Sequence, residues 1–362
     1  IQEDVSRPER KIDFMSKKCA VNPRLGAVGG QAVMEGVMMN SKQGLAIAVR
    51  NTDGDIVVRQ KQRHTLREKY KICRVPVIRG IVGFAETLVM SFRTLTESTE
   101  MLGVEMEAES KFEKWLDKKF GKSIMAVASL IGTVLGVALA LLLFIWLPAL
   151  LVRGIEKYIV PLGWTKSVIE GLVKIGIFVA YIALVSLMPE IKRVFMYHGA
   201  EHKTIFCYEN GLDLTVENVR KQKRFHPRCG TSFIFVIMIL SILAGSVITW
   251  DTMWIRVLLK LVSLPLVVGV GYEYIMYAGK HENTLTRILS APGLWLQHIT
   301  TREPDDSMIE VGIASVKASL VKEFPDYDVP TEEKVAAAKK AKAEKEAEAE
   351  SSGKDGGNSE NN

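Results

Sequence analysis

Ser123 to Val152 runs thirty residues, SIMAVASLIGTVLGVALALLLFIWLPALLV, without one charged side chain. A bilayer core of ~30 Å needs about 20 apolar residues in a helix, so this stretch predicts a membrane span. Three more stretches follow the same logic: Ser167–Met188, Thr231–Trp250 and Ile255–Ala278. The second carries Glu170 and Lys174. The fourth is interrupted by Arg256, Lys260, Pro265 and Glu273, which are tolerated where neighbouring helices cover them. Glu273 is either a functional acid or the wet end of a shifted span.

Composition agrees with separate membrane and aqueous parts. Of the 362 residues, 48% are apolar, yet 24% are charged, and the mean hydropathy is +0.13. The net charge of +6 would permit nucleic acid or an anionic surface as partner. The basic residues have no interleaved aromatics, however, so no direct nucleic-acid binding is expected, and the lipid bilayer is the simpler partner. Four cysteines without a C-x-x-C argue against a disulfide scaffold. The polar start shows no signal peptide.

Lysine and arginine set the orientation. Eight of them lie between the second and third spans, from Lys192 to Arg228, whereas the link between the third and fourth has little beyond Asp251. The positive-inside rule then places the central loop and both termini in the cytoplasm of a multi-pass cell-membrane protein.

The chain divides accordingly. Residues 1–23 read as a flexible arm, and 24–122 as a cytoplasmic segment. That segment holds a Gly/Met-rich run (Leu25–Ser41), a β-hairpin around Asp53-Gly54, and an amphipathic helix, with Ile81, Phe84, Leu88 and Phe92 on the face expected to pack in a core. Residues 123–188 hold the first two spans, 189–230 a His/Cys-rich loop, and 231–278 the last two spans. Residues 279–328 form a folded C-terminal segment, with an interfacial turn-helix at SAPGLWLQ and a short amphipathic helix at MIEVGIASVKASLVKEF. Residues 329–362 read as a low-complexity disordered tail. The fold class expected is an α-helical integral membrane protein with a cytoplasmic α+β portion.

The chemistry concentrates between Tyr197 and Ser232, which hold three of the six histidines and two of the four cysteines. His198, Glu201 and His202 form H-x-x-E-H, whose i, i+3, i+4 spacing puts all three on one helical face. This is the reverse of the zincin H-E-x-x-H, in which two histidines hold zinc and the glutamate is the base. Downstream, His226 and Cys229 flank a Pro227 turn and complete a tetrahedral set. The expected ligands of a divalent metal, zinc first, are therefore His198, His202, His226 and Cys229, with Glu201 or Glu35 as the catalytic base. His281, Glu35 and Cys207 are reserve ligands, although a lone cysteine such as Cys207 is more often packing. Glu35, among valines and methionines, is either exposed at a loop tip or held for a purpose. His64 and His298 have no companion donors and read as surface or structural.

Four motifs, GGQAVMEGVMM (Gly29–Met39), HGAEHK (His198–Lys203), HPRCGTSF (His226–Phe233) and PGLWLQ with TTREPDD (Pro292–Asp306), resemble the YqhQ-like family of bacterial membrane proteins. The resemblance implies a multi-span protein, described at most as a metal-dependent enzyme of unassigned reaction. It also implies a link to translation factors, near whose genes the family is often found. Two functions follow as expectations. One is a metal-dependent hydrolase at the cytoplasmic membrane face, acting on a peptide or lipid-linked substrate. The other is a non-catalytic scaffold or assembly factor with a structural metal and a cytoplasmic protein partner. Transport is weaker, since no internal repeat is visible.

Overall fold

The computed structural model describes residues 22–62, 65–103, 123–248, 253–278 and 283–355. The expectations for the arm, His64, His281 and the last residues of the tail therefore fall wholly or mostly outside the described residues.

The Gly/Met-rich run and the predicted hairpin together form one antiparallel meander of β1 (Val28–Val33), β2 (Gly36–Ser41), β3 (Leu45–Arg50) and β4 (Ile56–Lys61). The β1–β2 register pairs Val33 with Gly36, leaving Met34 and Glu35 as the turn, and Glu35 takes a left-handed φ of 49°. Side chains alternate between faces along a strand, and here both faces are apolar because both are covered. Val37, Met39, Ala46 and Ala48 face one core with Tyr197, Ile309 and Val316, while Met38, Ile47 and Val49 face a second with Met101 and Leu102.

The first core is built on two helices. α1 (Leu66–Lys69) and α2 (Ile78–Met101) follow the sheet. The apolar helices come next: α3 (Ser123–Leu141) continues through a π-turn at Leu142–Trp146 into α4 (Leu147–Tyr158), and α5 is Lys166–Val185. Then come α6 (Pro189–Glu209), α7 (Val216–Arg220), α8 (Gly230–Val247), α9 (Met253–Ala278), α10 (Thr284–Thr300), α11 (Asp306–Ser319) and α12 (Glu332–Asp355). α6 and α11 cover the sheet, and they cross closely at Gly312, where a Cβ would lie 2.7 Å from Thr204 Oγ1. Four helices, Ile131–Tyr158, Lys166–Val185, Gly230–Val247 and Leu258–Ala278, are long and apolar enough to cross a membrane. At most 22% of each apolar stretch is buried within the protein, so their large side chains face outward, as in a multi-pass membrane protein.

Several elements depart from the sequence reading. α2 does not bury its apolar stripe: Leu88, Val89 and Phe92 are exposed. It docks instead through glycine, because a Cβ at Gly80 would lie 2.9 Å from the Gly269 carbonyl oxygen of α9. Glu273 of α9 is neither a lone acid nor merely wet, since it is ion-paired with Arg79 of α2 and accepts the Val77 N–H at 3.3 Å. SAPGLWLQ is part of the continuous helix α10, with Pro292 inside it. α11 is buried on nearly all sides and so is a core helix, not an amphipathic one. The Ala/Lys/Glu tract is helical from Glu332 to Asp355, and its Glu332 holds Arg59 of β4 at 2.7 Å.

Candidate metal centre

α6 places His198, Glu201 and His202 on adjoining faces, as the spacing requires. Each histidine has one ring nitrogen committed to the backbone: His198 Nδ1 meets the Thr300 carbonyl at 2.8 Å, and His202 Nδ1 the Arg224 carbonyl at 2.5 Å. A carbonyl only accepts, so both Nδ1 atoms carry the proton and both Nε2 atoms present a lone pair. Backbone partners of this kind fix the tautomer and ring orientation of metal-binding histidines. The two rings stand edge to face with centroids 4.4 Å apart.

Both lone pairs converge on Cys229. His198 Nε2 is 3.2 Å from its Sγ, and one ligand atom from each of His198, His202 and Cys229 lies within 4.8 Å of the others. Tetrahedral zinc, with bonds of about 2.0–2.3 Å, separates its ligand atoms by roughly 3.5 Å. Cys229 is the N-cap residue of α8, at the positive end of an 18-residue helix, a position that favours thiolate. The Thr231 hydroxyl donates to its Sγ at 3.3 Å.

The pocket around the trio is buried and underpartnered. His202 is 1% exposed and its Nε2 has no hydrogen-bond partner. Burial, with the His198 imidazole beside it, depresses its pKa and keeps it neutral, the form that binds metals. Glu201 is 5% exposed, and its Oε2 also lacks a partner. Burial pushes this carboxyl up to about 8, against a smaller opposing pull from His198. An orphaned carboxyl oxygen beside a His/His/Cys trio that itself holds an unpartnered Nε2 is what a site for a cation offers. Glu201 is seated by β1, where Gly30 makes room: a Cβ there would lie 2.7 Å from Glu201 Cγ.

The other expected residues lie outside the trio, although the His226 ring neighbours that of His202, with centroids 5.6 Å apart. His226 does not join the trio. Its backbone N–H and carbonyl are bound by the Gln297 side chain at 2.8 Å each, and its ring Nε2 faces Glu209 at 3.4 Å while Nδ1 accepts the Arg228 N–H. Glu35 lies in the β1–β2 turn outside the trio, where Arg193 grips both its oxygens and Tyr197 donates to it at 3.3 Å. Cys207 is core packing, donating to the Asp213 carbonyl at 3.4 Å, with its thiol pushed up to about 11 by burial. His298 is exposed and stacks on Phe225.

The residues that hold the site carry weaker sequence signals. Glu209 binds the Gly26 N–H at 2.8 Å together with Arg228 and His226. Gln297 braces the HPRC turn from α10, and Gly293 lets α10 approach Ser232 of α8, where a Cβ would lie 2.5 Å from Ser232 Cα. Lys203 donates to the Arg220 carbonyl at 2.9 Å and pairs with Glu303. The motifs PGLWLQ and TTREPDD therefore frame the His198/His202/Cys229 cluster formed by HGAEHK and HPRCG.

Residues 75–322 match the family described as "Protein of unknown function (DUF1385)", and the chain belongs to that family. It is similar to the "Uncharacterized protein YqhQ" of Bacillus subtilis (strain 168), with 36% identity over 295 residues, covering 81% of this chain and 92% of that protein. No solved structure matches the chain.

Proposed function

We propose that this protein is a membrane-embedded, metal-dependent hydrolase whose site lies where the apolar bundle meets the cytoplasmic domain. The observation that carries the reading is the convergence of two tautomer-fixed Nε2 lone pairs on the Cys229 thiol, beside an unpartnered carboxyl. His198, His202 and Cys229 would hold the cation, with zinc the best match to two imidazoles and a thiolate. Three protein ligands leave a fourth position, the arrangement of catalytic rather than structural zinc. A zinc ion there supplies Lewis acidity toward a carbonyl or phosphoryl oxygen and toward water. Glu201 contributes the base: its raised pKa suits a group that exchanges protons near neutrality. His198 and Cys229 are only half-buried, so a substrate reaches the site from the rim.

Four helices of membrane-crossing length and composition support a bilayer around the bundle, and the excess of basic residues around the site supports a cytoplasmic position for that end. A peptide or a lipid-linked molecule at the membrane face is the substrate class that geometry favours.

A second reading has its own support. The trio joins α6, α8, the Arg224 carbonyl and the Thr300 carbonyl, so a cation there would also staple four segments, as in a scaffold that docks a cytoplasmic partner. One experiment separates the two. The chain, purified in mild detergent, is analysed for metal beside Glu201→Gln and a His198→Ala/His202→Ala double variant, and each is screened for hydrolysis of peptide and lipid-linked substrates. A hydrolase gives about one metal per chain, retained in Glu201→Gln with activity lost. A scaffold gives the same metal with no turnover in any form. No metal in the parent sinks both.

A further inference from the structure

At the end of the bundle remote from the metal centre, the four apolar helices enclose a cavity of about 330 Å³. It lies where α5 begins and α8 ends, whereas the His/Cys trio lies where α5 has ended and α8 begins. Its volume is at the lower end of the ~300–1,000 Å³ of small-molecule pockets. The walls are aliphatic, with Val152, Ile175, Ile242 and Leu264 coming from four different helices. Close packing of α5 on α8 at Gly171, where a Cβ would lie 2.2 Å from Ile242 Cγ1, sets their spacing.

The polar lining is cationic. Arg153, Lys166, Lys174 and Lys260 face one acid, Glu170. Glu170 pairs with Lys260 at 3.0 Å, and Lys166 pairs with Glu156 at 2.5 Å. Lys174 makes no hydrogen bond or ion pair with any described residue, and it is half-buried. It stands eight residues beyond Lys166 along α5, roughly 12 Å deeper at 1.5 Å per residue. A lysine at that depth among apolar helices is costly to retain and marks a functional site by default. The acid that acts on it, Glu170 one turn earlier on α5, is already paired with Lys260, so the two lysines share a single counter-charge.

We propose that this cavity binds a phosphate-bearing anion, with Lys174 and Lys260 on the phosphate and the aliphatic walls on an attached acyl or prenyl chain. The combination of a cationic mouth and an apolar interior fits a lipid better than free phosphate, and ammonium–phosphate contacts supply the polar part of the recognition. The inference rests on the bundle's lying in a bilayer, as proposed above, and is independent of the metal.

The test is native mass spectrometry of the full chain in neutral detergent with added phosphatidylglycerol or phosphatidylcholine. One phosphatidylglycerol per chain should persist, weakened about tenfold or more in Lys174→Gln and restored in Lys174→Arg. Ala149→Phe, which fills the cavity without changing charge, should also exclude it, so the result does not hang on one variant's folding. Lys157→Gln removes an exposed cation at the same end and should bind as the parent does. If inorganic phosphate displaces the lipid at comparable concentration, the site stands but its natural source is soluble. Binding unchanged in Lys174→Gln and Ala149→Phe, or lost equally in Lys157→Gln, overturns the proposal. Alkaline carbonate extraction of cell membranes tests bilayer embedding separately, because release by carbonate would fail that reading while leaving the detergent measurement to judge the cavity.

Discussion

A Cβ built on Gly199 would lie 2.0 Å from the carbonyl oxygen of Arg302. The two backbones touch because Arg302 N–H donates to the Phe195 carbonyl at 2.8 Å, laying the extended TTREP segment along the first turns of HGAEH. That contact sets the Thr300 carbonyl where His198 Nδ1 can use it.

Gly199→Ala must therefore push backbone from backbone, and no side-chain rotamer relieves it. We expect a loss of about 3 kcal/mol or more in stability, seen as a fall in Tm, together with reduced metal content. Gly154→Ala, where nothing lies within 4 Å, serves as the control and should be near neutral. A Gly199→Ala protein with parental Tm and metal would refute this account.

The trio predicts a sharp division among the five candidate ligands. Single substitutions His198→Ala, His202→Ala and Cys229→Ser should each lower zinc occupancy at least tenfold, whereas His226→Asn and Cys207→Ser should keep it. Elemental mass spectrometry at matched protein concentration decides. Loss of zinc in His226→Asn with the fold intact would restore His226 as a ligand.

Gly30 tests the carboxyl. A Cβ there meets Glu201 Cγ at 2.7 Å, its Oε1 at 2.8 Å and Met39 Sδ at 2.8 Å. All three are side-chain atoms that can shift, so Gly30→Ala should cost only about 1–2 kcal/mol. It should still displace the base and reduce turnover more than zinc content. Equal losses of both would mean that Glu201 supports the ligands instead.

Glu209 gives a pH dependence with a definite sign. Burial raises its pKa, but hydrogen bonds from His226 and Gly26 and the Arg228 charge outweigh it and leave the carboxyl below its ordinary 4.5. Its stabilisation is therefore fully present above that value and is lost as pH falls through the lower folded value. Glu209→Gln should cost about 2–3 kcal/mol at neutral pH, since Arg228 loses its buried partner. The gap from the parent should close as pH is taken well below 4.5. A gap that is constant with pH in thermal melts would contradict the assignment.

Glu35 should be dispensable for chemistry. Its ion pair with Arg193 is partly solvated, with 51% of the arginine side chain exposed, and such pairs contribute about 0–1 kcal/mol. Glu35→Gln should thus keep zinc and turnover with a Tm close to the parent's. Loss of turnover with zinc retained would put Glu35 back in the mechanism.

The apolar helices were legible because thirty uncharged residues in a row have few alternatives, and the structure has four helices of the required length and composition in the expected places. The H-x-x-E-H spacing likewise foretold neighbouring imidazoles, because helical geometry alone brings i and i+4 together. What spacing could not carry was the competition for each side chain. His226 looked equivalent to Cys229 until Gln297, seventy-one residues later, took its backbone and Glu209 took its ring. Glu35 looked like a candidate base until Arg193, distant in sequence, closed on it. The burial of α11 was hidden for the same reason. Its Ile309, Val311 and Val316 do not show one apolar stripe because partners cover several sides, and those partners are strands and helices from the other end of the chain.

The dependence of β2 and β3 on α11 has a consequence for biogenesis. The strands leave the ribosome first, but the helix that completes their core emerges only after all four apolar helices have been made. Until then Val37, Met39, Ala46 and Ala48 have no Met308, Ile309 or Val316 to meet. The sheet domain is thus closed like a clasp from its far end, and the Thr300 carbonyl that aligns His198 arrives with the same late segment. A nascent chain stalled after α9 would carry His198, His202 and Cys229 without the brace that aims His198, so assembly of the trio is deferred to the last stage of synthesis.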